Sequence, residues 1–142
     1  MPTGSPTDRP QDTRIRVVLV DDMDDFRSML RHRLLLHPEF EVVGEARDGF
    51  EAAQVTAKTK PDVIVLDLEM PNCDGITAIP LLRRAAPNAK LLVLSAFPEP
   101  YTLGDLLQQG VDAYLGKVGS WSELVPTIFA LCDYEVDAIA GT

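Results

Sequence analysis

The sequence predicts a doubly wound α/β domain, and three observations carry that reading. Five short apolar runs alternate with five stretches of helical periodicity, a (βα)₅ order that calls for parallel strands joined by right-handed helical crossovers. Most of the runs are apolar at consecutive rather than alternate positions, the mark of strands covered on both faces. The connections are short, as in units of this kind.

In chain order, "IRVVLV" (15–20) is the first strand and runs into Asp21-Asp22. A helix follows from Asp24, where Phe26, Met29, Leu30 and Leu34 recur at three- and four-residue intervals while Arg27, Arg31 and Arg33 fall mostly elsewhere. It closes at His37-Pro38, because a residue before proline is pushed out of the α region. "FEVVGEA" reads as the second strand and "GFEAAQVTAKT" as a helix that stops before Pro61. "VIVL" (63–66) leading into Asp67 is the third strand, and residues 75–86 the third helix. "KLLVLSA" (90–96), "EPYTLGDLLQQG" ended by Gly110, and "VDAYLGK" supply strand, helix and strand. Ser120 and Glu123 stand at capping-box spacing before a last helix that carries Leu124, Val125, Ile128, Phe129 and Leu131. Pro80 and Pro126 lie about five residues into their helices, where proline is expected to kink the helix or delay its start.

The 142 residues suit one domain with a proper core, and 46% hydrophobic with 25% charged residues is the composition of an ordinary soluble protein. No apolar run approaches the ~20 residues of a membrane helix. "MPTGSPTDRPQDT" (1–13) has no apolar signal core and reads as a flexible tail on a cytoplasmic protein; residues 14–133 form the domain and 134–142 a short extension. A formal charge of −9 repels a phosphate backbone, so no direct nucleic-acid binding is expected of this chain, and no membrane association. Cys73 and Cys132 are far apart with no CxxC, so both read as reduced thiols, Cys132 in a core. His32 and His37 do not share a helix face and read as surface residues rather than metal ligands.

In a doubly wound sheet, ligands bind beyond the carboxyl ends of the strands, where strand order reverses. To that edge the sequence delivers Asp21-Asp22, Asp67, Ser95 and Lys117. Singly, each Asp is what a turn or helix cap commonly carries, Ser95 reads as a cap, and Lys117 as a solvated surface charge. Together, three carboxylates repel one another and require a cation, for which a hard divalent ion such as Mg²⁺ with oxygen ligands is suited. With the ion and Lys117 to neutralise phosphoryl oxygens, the Asp67 carboxylate could attack phosphorus and become an acyl phosphate. Ser95 could then donate a hydrogen bond to a phosphoryl oxygen.

"VLVDDMDDFRSML", "VIVLDLEMPNCDG", "LLVLSA" and "DAYLGK" together resemble the receiver domain of bacterial two-component response regulators, over about residues 14–133. The intervals agree as well: 45 positions from Asp22 to Asp67, 28 to Ser95 and 22 to Lys117. The pattern is most similar to receivers that usually precede a LuxR/NarL-type helix-turn-helix. The resemblance implies a flavodoxin-like three-layer sandwich with a five-stranded parallel sheet of order 2-1-3-4-5. It implies that Asp67 is the phospho-acceptor for a sensor histidine kinase, with Lys117 binding a phosphoryl oxygen. It implies that Asp22, Asp67 and the backbone carbonyl of Glu69 ligate Mg²⁺, Asp21 assisting through water. Ser95 and Tyr114 would form the switch, with the surface of the fourth helix, fifth strand and fifth helix as its readout. Phosphorylation would shift that surface toward a second copy or an output partner, making the chain a phosphorelay signalling switch rather than an enzyme.

Pro71 and Asp74-Gly75 fit the loop chemistry of that family. Glu69 and Phe97 stand where phosphate lifetime is adjusted, and a bulky Phe97 implies a slowly decaying phosphoform. Val118 replaces the common proline after the lysine, so the cis peptide usual there is not expected. The fourth helix, with two prolines and Gly104 near its start, departs from a regular pattern. Trp121, opening the last helix, reads as a packing or interface aromatic. Whether the chain is the receiver of a transcription factor or a stand-alone receiver is open. Two alternatives are weighed. "DLE" is similar to the nucleophile motif of haloacid-dehalogenase-like phosphatases, although there the acidic pair follows the nucleophile. A receiver-like interaction module that is never phosphorylated usually lacks one of these acids or the lysine.

Overall fold

A computed structural model describes residues 14–70, 75–95, 103–117 and 121–134. In these segments β1 (Ile15–Val20), α1 (Asp24–Leu35), β2 (Phe40–Ala46), α2 (Gly49–Thr59), β3 (Val63–Asp67), α3 (Gly75–Ala85), β4 (Lys90–Ser95), α4 (Leu103–Gln108), β5 (Ala113–Gly116) and α5 (Trp121–Leu131) alternate as the sequence predicts. The sheet has the order β2-β1-β3-β4-β5, and every pairing is parallel.

Successive strand side chains take opposite faces, and the two hydrophobic clusters divide accordingly. Val18 and Val20, Ile64 and Leu66, and Leu91 and Val93 meet Ala52 of α2, Ile79 and Leu82 of α3 and Leu106 of α4. Val17 and Leu19, Val63 and Val65, and Leu92 and Leu94 meet Leu30 and Leu34 of α1 and Leu124 and Ile128 of α5. The result is three layers with two cores, each closed by amphipathic helices. Being apolar on both faces, β3 is buried at all five positions.

Local chemistry sets the element ends. Asp48 caps α2 by accepting from the Glu51 amide at 2.8 Å, and the Glu51 carboxylate accepts from the Arg47 amide at 2.7 Å. Gly110, at φ 101°, turns the chain out of α4. Pro80 and Pro126 sit inside α3 and α5 without stopping them. Both are exposed, so the carbonyl that each leaves without a helical donor can be hydrated. The fourth helix is shorter than predicted, six residues from Leu103, and residues 96–102 lie outside the described segments. β5 is likewise four residues rather than seven.

Two smaller expectations are corrected. His37 is not a plain surface residue: half-buried, it presents its ring edge to Phe40 at 6.0 Å. Cys132 is half-buried against the α1/α5 cluster rather than enclosed in it, and Cys73 falls outside the described residues.

Candidate phosphoryl-acceptor site

β1 and β3 are neighbours at the centre of the sheet, while β2 lies on the other side of β1. The chain therefore reverses direction across the sheet between β1 and β3, and a crevice opens at their carboxyl ends. Asp21 and Asp22 follow β1, Asp67 ends β3, Ser95 ends β4 and Lys117 follows β5. The Lys117 amide donates to the Ser95 carbonyl at 3.0 Å, which extends the β4–β5 pairing as far as the lysine.

The side chains converge. One carboxylate oxygen each of Asp21, Asp22 and Asp67 can be chosen so that all three lie within 4.8 Å of one another. Asp21 and Asp67 are buried, and Asp22 is half-buried. The Lys117 ammonium sits 3.0 Å from Asp21 Oδ2 and 3.2 Å from Asp67 Oδ2. The other oxygens of these carboxylates are also engaged: Asp21 Oδ1 accepts from the Met23 amide at 2.8 Å, and Asp67 Oδ1 from the Glu69 amide at 3.1 Å. Asp21 and Asp67 thus each have a partner on both carboxylate oxygens.

The electrostatics show how charge is balanced in this cluster. Burial, then the neighbouring charge of Asp21, pushes the Asp67 carboxyl up from 3.8 to about 7, against the opposing pull of Lys117 and the Glu69 amide. One lysine is too little positive charge for three acids. Burial works against the charge of Lys117, and Asp21 and Asp67 together more than offset it, so its pKa is raised. Hard oxygen donors, crowded and short of countercharge, are the donor set that a hard divalent cation fits.

Ser95 and Tyr114 are both at the site, in an arrangement that the sequence does not foretell. The fully buried Ser95 hydroxyl donates to Glu69 Oε2 at 2.5 Å, so its proton is committed to a carboxylate rather than held toward Asp67. The Tyr114 hydroxyl is buried beside Ser95 and makes no hydrogen bond of ordinary geometry. Burial raises its pKa, Ser95 lowers it and the charge of Glu69 raises it further. Phe97, Pro71, Asp74 and Val118 lie outside the described residues, as does the side chain of Trp121.

Two residues of α1 join the site unannounced. Arg27 donates to the Asp21 carbonyl at 2.6 Å, to Asp24 at 2.6 Å and to Glu45 of β2 at 2.8 Å, bracing the turn that presents the acidic pair. Phe26 lies under the Lys117 ammonium, 4.5 Å from ring centroid to nitrogen. Helical periodicity marks Phe26 only as a core residue, and the contact depends on a strand almost a hundred positions away. For Arg27 a signal existed: it is the first cation after the acidic run Asp21, Asp22, Asp24, Asp25.

The model of the response regulator receiver domain matches residues 17–129. The chain belongs to this family. It is 36% identical over 106 residues to the transcriptional regulatory protein DegU of Brevibacillus brevis, covering 75% of this chain and 45% of that protein. With the protein-glutamate methylesterase/protein-glutamine glutaminase of Thermotoga maritima it shares 42% over 107 residues, 75% of this chain and 31% of the enzyme. The crystal structure of a LuxR-family two-component response regulator from Aurantimonas superposes with a TM-score of 0.79 at 30% identity, covering 84% of this chain and 86% of that one. The chain thus spans about half the length of the transcriptional regulators it matches. It is a receiver domain of two-component phosphorelay signalling, and its architecture and strand order are those the resemblance implied. Among the described residues no helix is long and apolar enough to cross a membrane.

Proposed function

We propose that Asp67 accepts a phosphoryl group from the phosphohistidine of a sensor histidine kinase and that the resulting acyl phosphate switches the surface formed by α4, β5 and α5. The observation that carries this reading is the Asp67 carboxylate itself, buried at the end of a central strand, 3.2 Å from a lysine and beside two further acids. An oxygen of Asp67 attacks phosphorus as the phosphorus–nitrogen bond breaks, and the imidazole leaves with the electron pair and takes up a proton. Lys117 moves from neutralising Asp67 to neutralising a phosphoryl oxygen, a shift of one contact for a side chain already in place. Mg²⁺, held by Asp22, Asp67 and the Glu69 carbonyl with Asp21 assisting, would supply the remaining countercharge when bound.

To reach the phosphoryl group Ser95 has to give up Glu69, and Tyr114, already packed beside it, responds to that movement. The two arrangements make different contacts, which is what allows phosphorylation to shift a population. Glu69 and Phe97 would then govern how long the phosphate lasts. The readout we propose is a homodimer or an output partner, with transcription regulation as the output class, in the cytoplasm. The domain spans residues 14–133, with residues 1–13 a tail and 134–142 an extension, and its only chemistry is its own phosphorylation and dephosphorylation.

The test is incubation with Mg²⁺ and acetyl phosphate, followed by mass spectrometry. An adduct of ~80 Da, the mass of a phosphoryl group, is expected on the native chain and not on Asp67→Asn. An adduct that persists in Asp67→Asn would overturn the assignment.

A further inference from the structure

We propose that the Phe26 ring seats the catalytic ammonium: Phe26 is a positioning residue that holds Lys117 over the acceptor through a cation–π contact. The proposal rests on the phosphoryl-transfer reading above. A lysine ammonium has three N–H donors. Here one side is met by Asp21 at 3.0 Å, another by Asp67 at 3.2 Å, and the third by the face of Phe26, its centroid 4.5 Å away. The Lys117 side chain is only 11% exposed, so water contributes little to holding it. In that desolvated setting the negative face of an aromatic ring attracts a cation more strongly than it would at the surface.

The ring does something that a third carboxylate could not. It has no oxygen that would compete with a phosphoryl oxygen for the lysine protons, and no charge that would add to the repulsion among Asp21, Asp22 and Asp67. The Asp67 contact is exchanged for a phosphoryl oxygen when Asp67 is phosphorylated, whereas the ring is unchanged by the chemistry. Phe26 is itself anchored, packed against the cluster of β1, β3 and β4 side chains on the α1 face. The four-carbon stem of Lys117 is flexible. A fixed apolar platform narrows where its head can go without tying up its donors.

A ring that merely packs would answer to size, whereas a ring that seats a cation answers to the negative potential of its face. Mono-, di- and trifluorinated phenylalanine, nearly equal in shape, are therefore placed at position 26 by site-specific incorporation. Adduct formation from acetyl phosphate and Mg²⁺ is then timed by mass spectrometry beside a thermal melt of each protein. The expected result is a stepwise fall in rate, reaching roughly three- to tenfold for the trifluorinated ring, at an almost unchanged melting temperature. Phe26→Tyr keeps the rate, and Phe26→Leu loses as much as the trifluorinated ring. A flat rate across the series, while Lys117→Ala is slow, overturns the role of the ring alone. A rate that Lys117→Ala leaves unchanged overturns both this proposal and the reading it rests on.

Discussion

The Ser95 hydroxyl has one proton, and in this structure Glu69 holds it. A hydrogen bond to a charged acceptor contributes a net ~1.5–3 kcal/mol, so any phosphoryl oxygen that recruits Ser95 does so against an acceptor of comparable strength. Glu69 should therefore oppose activation. Glu69→Ala is expected to bind the phosphoryl mimic beryllofluoride, in the presence of Mg²⁺, roughly three- to tenfold more tightly than the native chain, since about 1 kcal/mol of competition is removed. Calorimetric titration of the two proteins measures this directly, and equal affinities would show that the Ser95–Glu69 bond does not resist the switch. The identities of Asp21, Asp22, Asp67, Ser95 and Lys117 were legible in the sequence because each follows an apolar run and the fold class places strand ends together. The partner of Ser95 was not, since no periodicity or spacing tells which way the side chain of Glu69 turns. The same limit hid Phe26, whose pattern reports burial against a core and says nothing of the cation above it.

At the scale of elements, the strands were legible from β-branched runs bounded by Asp, Gly and Pro and the helices from their apolar periodicity, while the order of the strands in the sheet came from the family resemblance. What escaped was set by contacts between elements. Pro80 and Pro126 do not break α3 and α5 because both face solvent, a fact about helix orientation that local propensity cannot supply. Gly44, inside β2, looks like a weakness in the strand. In the structure it lies at the point where β2 skips one position of its register with β1, facing Val55 of α2 so closely that an added Cβ would clash with Val55 Cγ1. Val55 is β-branched and stiff, so it has little room to yield. Gly44→Ala is accordingly expected to lower stability by about 1–3 kcal/mol in urea unfolding, by overpacking. The paired variant Gly44→Ala/Val55→Ala should recover part of that loss if the clash is its cause, whereas a fully additive double mutant would point to some other origin. Arg27 joins α1 to β2 through Glu45 and to the acidic turn through the Asp21 carbonyl. Burial disfavours its charge, and Asp24 and Glu45 more than make up for it. Arg27→Lys keeps the charge but loses the planar fork. It should therefore slow adduct formation on Asp67 at an unchanged net charge, a comparison that separates bracing of the turn from general electrostatics.

For the molecule as a whole, the acidic cluster at the carboxyl ends of the central strands is a region where folding brings like charges together, and its stability should carry that signature. The chain bears a net −9, and its most confined negative charges are those at the head of the central strands. The folded Asp67 carboxyl titrates near 7 instead of near 3.8, so the native state binds this proton more tightly than the unfolded chain does. The stabilising contribution of that proton is then fully present below about pH 4 and is lost as pH rises through about 7. The rise from 3.8 to about 7 sets an upper bound of roughly 4 kcal/mol on the loss, with relaxation and water entry reducing it. In metal-free protein, Asp67→Asn is thus expected to be more stable than the native chain by roughly 1–3 kcal/mol at about pH 8, the advantage shrinking toward about pH 5. Mg²⁺ should reverse the ranking, because an ion that binds only the folded state stabilises the chain whose acids can hold it. Urea unfolding at the two pH values, with and without Mg²⁺, tests both halves. Equal stabilities without metal at the higher pH, or an equal gain on adding Mg²⁺, would mean that the charge of Asp67 is compensated within the protein and that this carboxylate is not the one waiting for a cation.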